Sequence, residues 1–239
     1  MNAGNTAAMA SERRIGLIHT VSTLAPVFAG LAASLLPGVS VAGIVDESLL
    51  GDAIAAGGLT PDIQRRLADH VRSLVGQGAG TVMVTCSSLG PAVDQLAATS
   101  AVPLLRVDTA MAEEAVRSAR RVGVLATLQT TLRPTADLVR DRAAAHGARV
   151  EVVAHLCEGA FAALKAGDTG RHDELVRAGL RALEPRVDLV LLAQASMARV
   201  LLDNGVPGKV PILTSPRRAV EQLARAVAGQ GRPAGPRKE

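Results

Sequence analysis

Aromatic side chains are almost missing from this 239-residue chain: it has no tryptophan or tyrosine, and Phe28 and Phe161 are its only phenylalanines. Its core has to be filled by closely packed Ala, Val, Leu and Ile. The same scarcity argues against nucleic acid as a partner, because stacking platforms for bases need rings. Cysteine is nearly as rare, with Cys86 and Cys157 far apart. The stretch from Met1 to Arg14 is polar and Ala-rich and lacks the apolar run of a secretory signal. The expected setting is therefore a reducing cytoplasm, where a cysteine is buried or catalytic rather than bridged. No run approaches the roughly 18–20 apolar residues that cross a bilayer, so no membrane partner is expected. A Walker loop and a dinucleotide fingerprint are both missing, and no His/Cys set has metal-ligand spacing. No metal or cofactor is expected, and Gly57-Gly58 and Gly78-Ala79-Gly80 read as turns. The net charge of +4 owes much to Arg232, Arg237 and Lys238 on a Gly/Pro-rich tail, which reads as a solvated end.

With 48% hydrophobic residues, the chain can bury one large or two small α/β cores. Short β-rich runs alternate with segments of helical period, the pattern of a parallel sheet covered on both faces. Strands are expected at Ile15–His19, Val39–Val45, Val82–Thr85, Val102–Leu105, Val122–Ala126, Val150–His155, Leu189–Leu192 and Ile212–Leu213. Helices are expected at Leu24–Leu36, Pro61–Gly76, Pro91–Ala98, Met111–Ser118, Thr131–His146, His172–Leu183, Met197–Asp203 and Arg218–Ala228.

The pattern occurs twice. Residues 13–20 (RRIGLIHT) read onto residues 120–127 (RRVGVLAT), and Val102-Pro103-Leu104-Leu105 onto Val210-Pro211-Ile212-Leu213. Between these anchors, Val82–Leu89 reads onto Val190–Met197, which sets Cys86 against Gln194; all three pairings share an offset of 107 or 108 residues. Such a period exceeds any solenoid unit. It predicts two pseudo-symmetric, doubly wound parallel lobes. One comprises residues 13–109, with the C-terminal helix (216–228) returning to it, and the other residues 110–215; residues 1–12 and 229–239 would be flexible ends. Ligand crevices in such sheets lie beyond the carboxyl ends of the strands, so facing lobes would bring all strand-end loops to one cleft.

Candidate residues follow from that placement. Cys86 leaves a strand and precedes Ser87, Ser88 and the helix opened by Gly90-Pro91. A helix N-terminus lowers a thiol's pKa; a buried apolar cysteine is the plainer reading of the same position. The loops after the two opening strands carry Thr20, Ser22 and Thr23 in one lobe and Thr127, Gln129, Thr130 and Thr131 in the other. These groups read either as anion-binding nests or as ordinary helix caps. His19, whose repeat partner is Ala126, is a candidate acid, base or thiolate partner for Cys86, against a surface histidine. Asp46 and Glu47 end one strand and Cys157 and Glu158 its counterpart, so all four would overhang the rim; the plainer readings are a cap onto Ser48 for Asp46 and an acidic first helical turn for Glu158. Ser196, the twin of Ser88, joins the candidate binding set.

Together, Ile15–Thr23, the Thr85-Cys86-Ser87-Ser88 turn, Gly123–Thr127 with Thr130, and the turn at Gln194 resemble the aspartate/glutamate/hydantoin racemase superfamily, which also includes maleate isomerase and arylmalonate decarboxylase. The resemblance spans nearly all of Arg14–Ala228. It implies two like lobes, no cofactor, a small carboxylate-bearing substrate and a fold that often pairs into a homodimer. It also implies two cysteines acting on opposite faces of the substrate. On this resemblance Cys86 is the first-lobe cysteine. Ser87 and Ser88 stand in for the usual Asn and Thr that hold a carboxylate. His19 stands where glutamate racemases often have Asp, and Thr127 and Thr130 match second-lobe hydroxyls. The departure is Gln194, at the place of the second cysteine, because an amide exchanges no proton near neutral pH. Cys157 could replace the missing thiol, His19 or Glu158 could supply the second acid, or one thiol could suffice. The expected function is a racemase- or isomerase-like enzyme using a Cys86 thiolate, with a single-thiol decarboxylase or lyase and a non-catalytic carboxylate-binding protein as alternatives.

Overall fold

The computed structural model describes residues 13–201 and 209–230. The first half runs β1 (Arg14–His19), α1 (Leu24–Leu35), β2 (Ser40–Val45), α2 (Glu47–Ala55), α3 (Pro61–Gly76), β3 (Thr81–Val84), a 3₁₀ turn (Ser87–Leu89), α4 (Gly90–Ala97) and β4 (Leu104–Arg106). The second half runs α5 (Thr109–Ser118), β5 (Arg121–Ala126), α6 (Gln129–Ala145), β6 (Glu151–Leu156), α7 (Ala160–Lys165), α8 (Thr169–Leu183), a short 3₁₀ turn, β7 (Leu189–Leu192), the 3₁₀ segment Ala195–Leu201, β8 (Ile212–Thr214) and α9 (Ser215–Gln230).

Two four-stranded parallel sheets result, ordered β2-β1-β3-β4 and β6-β5-β7-β8. The duplication read from the sequence recurs in the register. Gly16 pairs with Val82 and Ile18 with Val84, as Gly123 pairs with Val190 and Leu125 with Leu192. The central strands are mostly apolar because helices cover both faces: β3 and β7 are buried at every position, and β1 and β5 at all but the first. At the edge, β2 alternates half-buried and exposed. Gly16 serves close packing, since a methyl there would lie 2.9 Å from Leu74 of α3.

Local chemistry marks the helix starts. Thr60 caps α3 ahead of Pro61, and Asp168 caps α8. Asp46 caps a helix that the sequence reading left out, α2, whose Leu49, Leu50 and Ala53 face the core. The other omitted helix, α7, has only six residues. Boundaries elsewhere shift slightly. The fourth strand begins at Leu104 instead of Val102, and the last helix extends over Gly229 and Gln230, which had been assigned to the flexible tail. The segment expected as a helix from Met197 is 3₁₀ up to Leu201, and its last two residues lie outside the described part, as do residues 1–12 and 231–239.

The helix that follows β4, α5, packs on the second sheet, and its counterpart after β8, α9, returns to the first. Met111, Ala112, Ala115 and Val116 of α5 lie in one core with β5, β7 and α6. Ala219, Val220, Leu223 and Val227 of α9 lie with β1, β3 and α1. Each such side chain removed from water contributes up to about 1.5–3 kcal/mol, so the exchange ties both cores together. Where α5 and α9 meet, Arg218 grips Glu114 in a bidentate pair at 2.6 and 2.9 Å.

Candidate active site

Both sheets direct the carboxyl ends of their strands toward the other half. The turn after β3 packs on the second half: Ser88 Oγ lies 2.7 Å from Thr131 Oγ1 at the start of α6, and Leu128 and Phe161 pack against the core that contains Cys86. The turn after β7 returns the contact, with Ala195 buried among Ile15, Leu17, Leu24, Phe28 and Met83. Thr85 N–H donates to Ile18 O and Ala193 N–H to Leu125 O, each at 2.9 Å. Cys86 and Gln194 are therefore equivalent positions, each two residues past the last ladder pair of its central strand.

The equivalence extends to their partners. Thr20, after β1, hydrogen-bonds Cys86; Thr127, after β5, donates to Gln194 Oε1 from its backbone N–H at 2.6 Å and from its hydroxyl at 3.0 Å. Because the Thr127 N–H can only donate, the Gln194 oxygen is the atom held. Its NH₂ group is left to donate elsewhere.

Cys86 is only 9% exposed. The sequence reading expected a depressed thiol pKa, and the structure reverses that sign. Burial pushes the thiol up, and hydrogen bonds from Thr20, from the Leu89 and Ser88 amides and from the Ser88 side chain offset this only in part. The helix expected to lower it begins as a three-residue 3₁₀ turn with little dipole to offer.

His19 is likewise not the expected thiolate partner. It is buried at 2% exposure, tilted against Phe28, with Nδ1 2.8 Å from Thr85 Oγ1. Thr85 donates its only hydroxyl proton to Ile18 O at 3.1 Å, so its oxygen accepts from His19 Nδ1–H. Burial lowers the imidazole to about 4, and it is neutral at pH 7.

Cys157 is equivalent to Asp46: its N–H bonds Ala126 O as the Asp46 N–H bonds His19 O. Its sulfur does not join Cys86. It packs in the core under α8, so close to Gly179 that a methyl there would lie 2.7 Å from Sγ, and burial pushes its pKa up to about 12. The structure thus removes Cys157 as the replacement thiol. Asp46 accepts from the Ser48 amide at 3.0 Å and meets His70 Nε2 at 2.8 Å. Although burial opposes it, the Ser48 and His70 contacts hold the Asp46 carboxyl below its usual range. Ser22 N–H donates to Glu47 at 2.8 Å, while Glu158 is exposed. Ser87 and Thr130 have buried hydroxyls with no partner among the described residues, and Ser196 is half-buried.

The sequence reading missed Arg106. This guanidinium, 5% exposed, is bidentate to Asp108 at 3.0 Å and reaches Asp94 at 2.5 Å. It lies against Gly90, the residue that follows the Cys86 turn, so closely that a methyl there would overlap it. A lone arginine followed two residues later by an aspartate at an apolar strand end was the available signal.

An open groove of about 630 Å³ bordered by Arg120, Arg121, Arg140 and Arg149 lies at the amino ends of β5 and β6, the wrong end of the strands for the site. Among the described residues no group of His, Cys, Asp or Glu could hold a metal, and no described helix is long and apolar enough to cross a membrane.

Fold and site together define a two-lobed α/β protein with a duplicated strand-end turn at the lobe interface. The Asp/Glu/Hydantoin racemase family model matches residues 81–223, more than half of the chain. The chain belongs to that family. Solved structures of similar fold include a glutamate racemase from Bacillus anthracis (16% identity, covering 92% of this chain and 83% of that one, TM-score 0.69). Allantoin racemase from Klebsiella pneumoniae is similar (19%, 92% and 89%, TM-score 0.67), as is an aspartate racemase from Picrophilus torridus (14%, 90% and 94%, TM-score 0.66). No curated protein matches the chain.

Proposed function

We propose that this chain is a cofactor-independent isomerase of the racemase type, acting on a small carboxylate-bearing substrate, in which Cys86 is the one thiol that moves a proton. One observation carries the reading: the two equivalent turns hold Cys86 and Gln194, and of the two only the thiol is an acid–base group. The hydroxyls of Ser87 and Thr130 and the NH₂ of Gln194 are the donors for the substrate's carboxylate. They stabilise the enediolate charge that develops when the carbon beside that carboxylate loses its proton. The thiolate form of Cys86, once present, is stabilised by Thr20 and by the amides of Ser88 and Leu89.

The raised pKa of Cys86 favours a second reading, a lyase. A thiol that rests protonated is ready to donate. As carbon dioxide departs, the carbon–carbon bond breaks and its electron pair stays on the substrate as an enediolate. Cys86 then protonates that carbon, and water restores the thiol. Turnover of candidate acids in deuterated water separates the two. Deuterium entering recovered substrate without loss of a group supports the isomerase, whereas loss of a group with one deuterium gained supports the lyase. Full activity of Cys86→Ala in either assay removes both.

A further inference from the structure

We infer that the site takes a carboxylate that carries no ammonium group, so that its substrates are simple acid anions rather than zwitterionic amino acids. This deepens the reading of Cys86 as the reactive thiol and rests on it. The inference comes from the charges along the polar seam between the lobes. Thr20 bonds Cys86, Ser88 touches Thr131, and Thr127 holds Gln194. None of these six side chains carries a formal charge in its resting form.

The acidic groups at the strand ends are engaged elsewhere. Asp46 is taken by Ser48 and His70, Glu47 by the Ser22 amide, and Asp108 by Arg106. Glu158 has no partner among the described residues, but it is exposed and its charge is spent in water. His19 is neutral and gives its Nδ1 proton to Thr85. What remains unspent is uncharged hydrogen-bonding capacity. The oxygen of Gln194 is occupied, which leaves its NH₂ as the end that can donate, and the hydroxyls of Ser87, at 5% exposure, and Thr130 are buried without partners among the described residues.

A carboxylate brought into such a seam exchanges water for several hydrogen-bond donors, a favourable charge-assisted arrangement. An ammonium brought beside it would lose its hydration with no carboxylate among those six side chains to pair with it, which is strongly unfavourable in a buried site. The same seam therefore accepts one end of an amino acid and rejects the other.

Succinate and aspartate differ only by that ammonium, as do glutarate and glutamate, and these pairs form the test. The full-length protein is alkylated with iodoacetamide at pH 9 with and without each acid, and peptide mass spectrometry follows Cys86 and Cys157 separately. At an acid concentration about tenfold above its Kd, succinate or glutarate is expected to slow Cys86 alkylation about tenfold by occupancy. Both enantiomers of aspartate and glutamate at the same concentration should slow it less than about twofold. Protection by an amino acid equal to that by its desamino twin overturns the inference while leaving Cys86 as the site. Protection by neither set, with Cys86 as unreactive as Cys157, overturns the reading on which the inference rests.

Discussion

The two turns at the lobe interface share a backbone and differ in chemistry. Each follows a central strand by two residues and is met by the threonine after the neighbouring strand, yet one ends in a thiol and the other in an amide. They differ also in support. Arg106 buttresses the Cys86 turn through Gly90, whereas Thr214 stands at the equivalent position on β8. Duplication supplied the geometry twice, and only one copy retains a group able to exchange a proton.

The comparison can be broken most directly by exchanging its two members. Cys86→Ala should lower turnover by about 10³-fold, the scale of a lost acid–base group. Gln194→Ala should lower it by about 10²-fold, the lower end for loss of one donor to developing charge. Gln194→Cys places a thiol on the second face and should raise the rate at which deuterium enters a chiral substrate with inversion, which chiral chromatography would detect. Equal losses from Cys86→Ala and Gln194→Ala would erase the asymmetry.

The difference in support can be sharpened with Gly90→Ala. The new methyl must displace a buried guanidinium from two carboxylates, and the expected loss of stability is about 3–5 kcal/mol, read by denaturant titration. A loss below about 1 kcal/mol would mean that the arginine can move aside.

The smallest expected effect distinguishes the two cysteines. A buried thiol holds its proton more tightly folded than unfolded. The stability it confers is thus complete below the ordinary thiol pKa and is lost as pH climbs toward about 12 for Cys157. The melting temperature should fall over that alkaline range, and Cys157→Ala should reduce the fall by about 5 °C without altering turnover at pH 8. His19 acts with the opposite sense at acid pH. Its neutral folded form stabilises the protein above 6.5, and that contribution is lost as pH drops toward about 4.

Much of this was legible before any coordinates. The offset of 107 or 108 residues located both central strands, both turns and the Cys86–Gln194 equivalence. What escaped depended on depth. Asp46 read as a rim carboxylate or a cap onto Ser48, and the cap is what the structure has; the helix it opens escaped, although Leu49, Leu50 and Ala53 mark its buried face. The fourth strand was started too early because Val102-Pro103 is β-rich in composition, while Pro103 has no N–H to place in a ladder. Arg106 drew no reading from the sequence; only folding shows two carboxylates closing around it. The sign of the Cys86 shift was misjudged because position in the chain reveals a nearby helix start but not how completely water is excluded.

The exchange of α5 and α9 bears on how the seam is held. Within the described residues the backbone passes from one half to the other at two places, between β4 and α5 and between β8 and α9, and those helices touch. Asp108 and Ser215 stand at those two crossings, both wholly shielded from solvent. Arg106, clasping Asp108 while resting on Gly90, thus fastens one crossing to the thiol's turn.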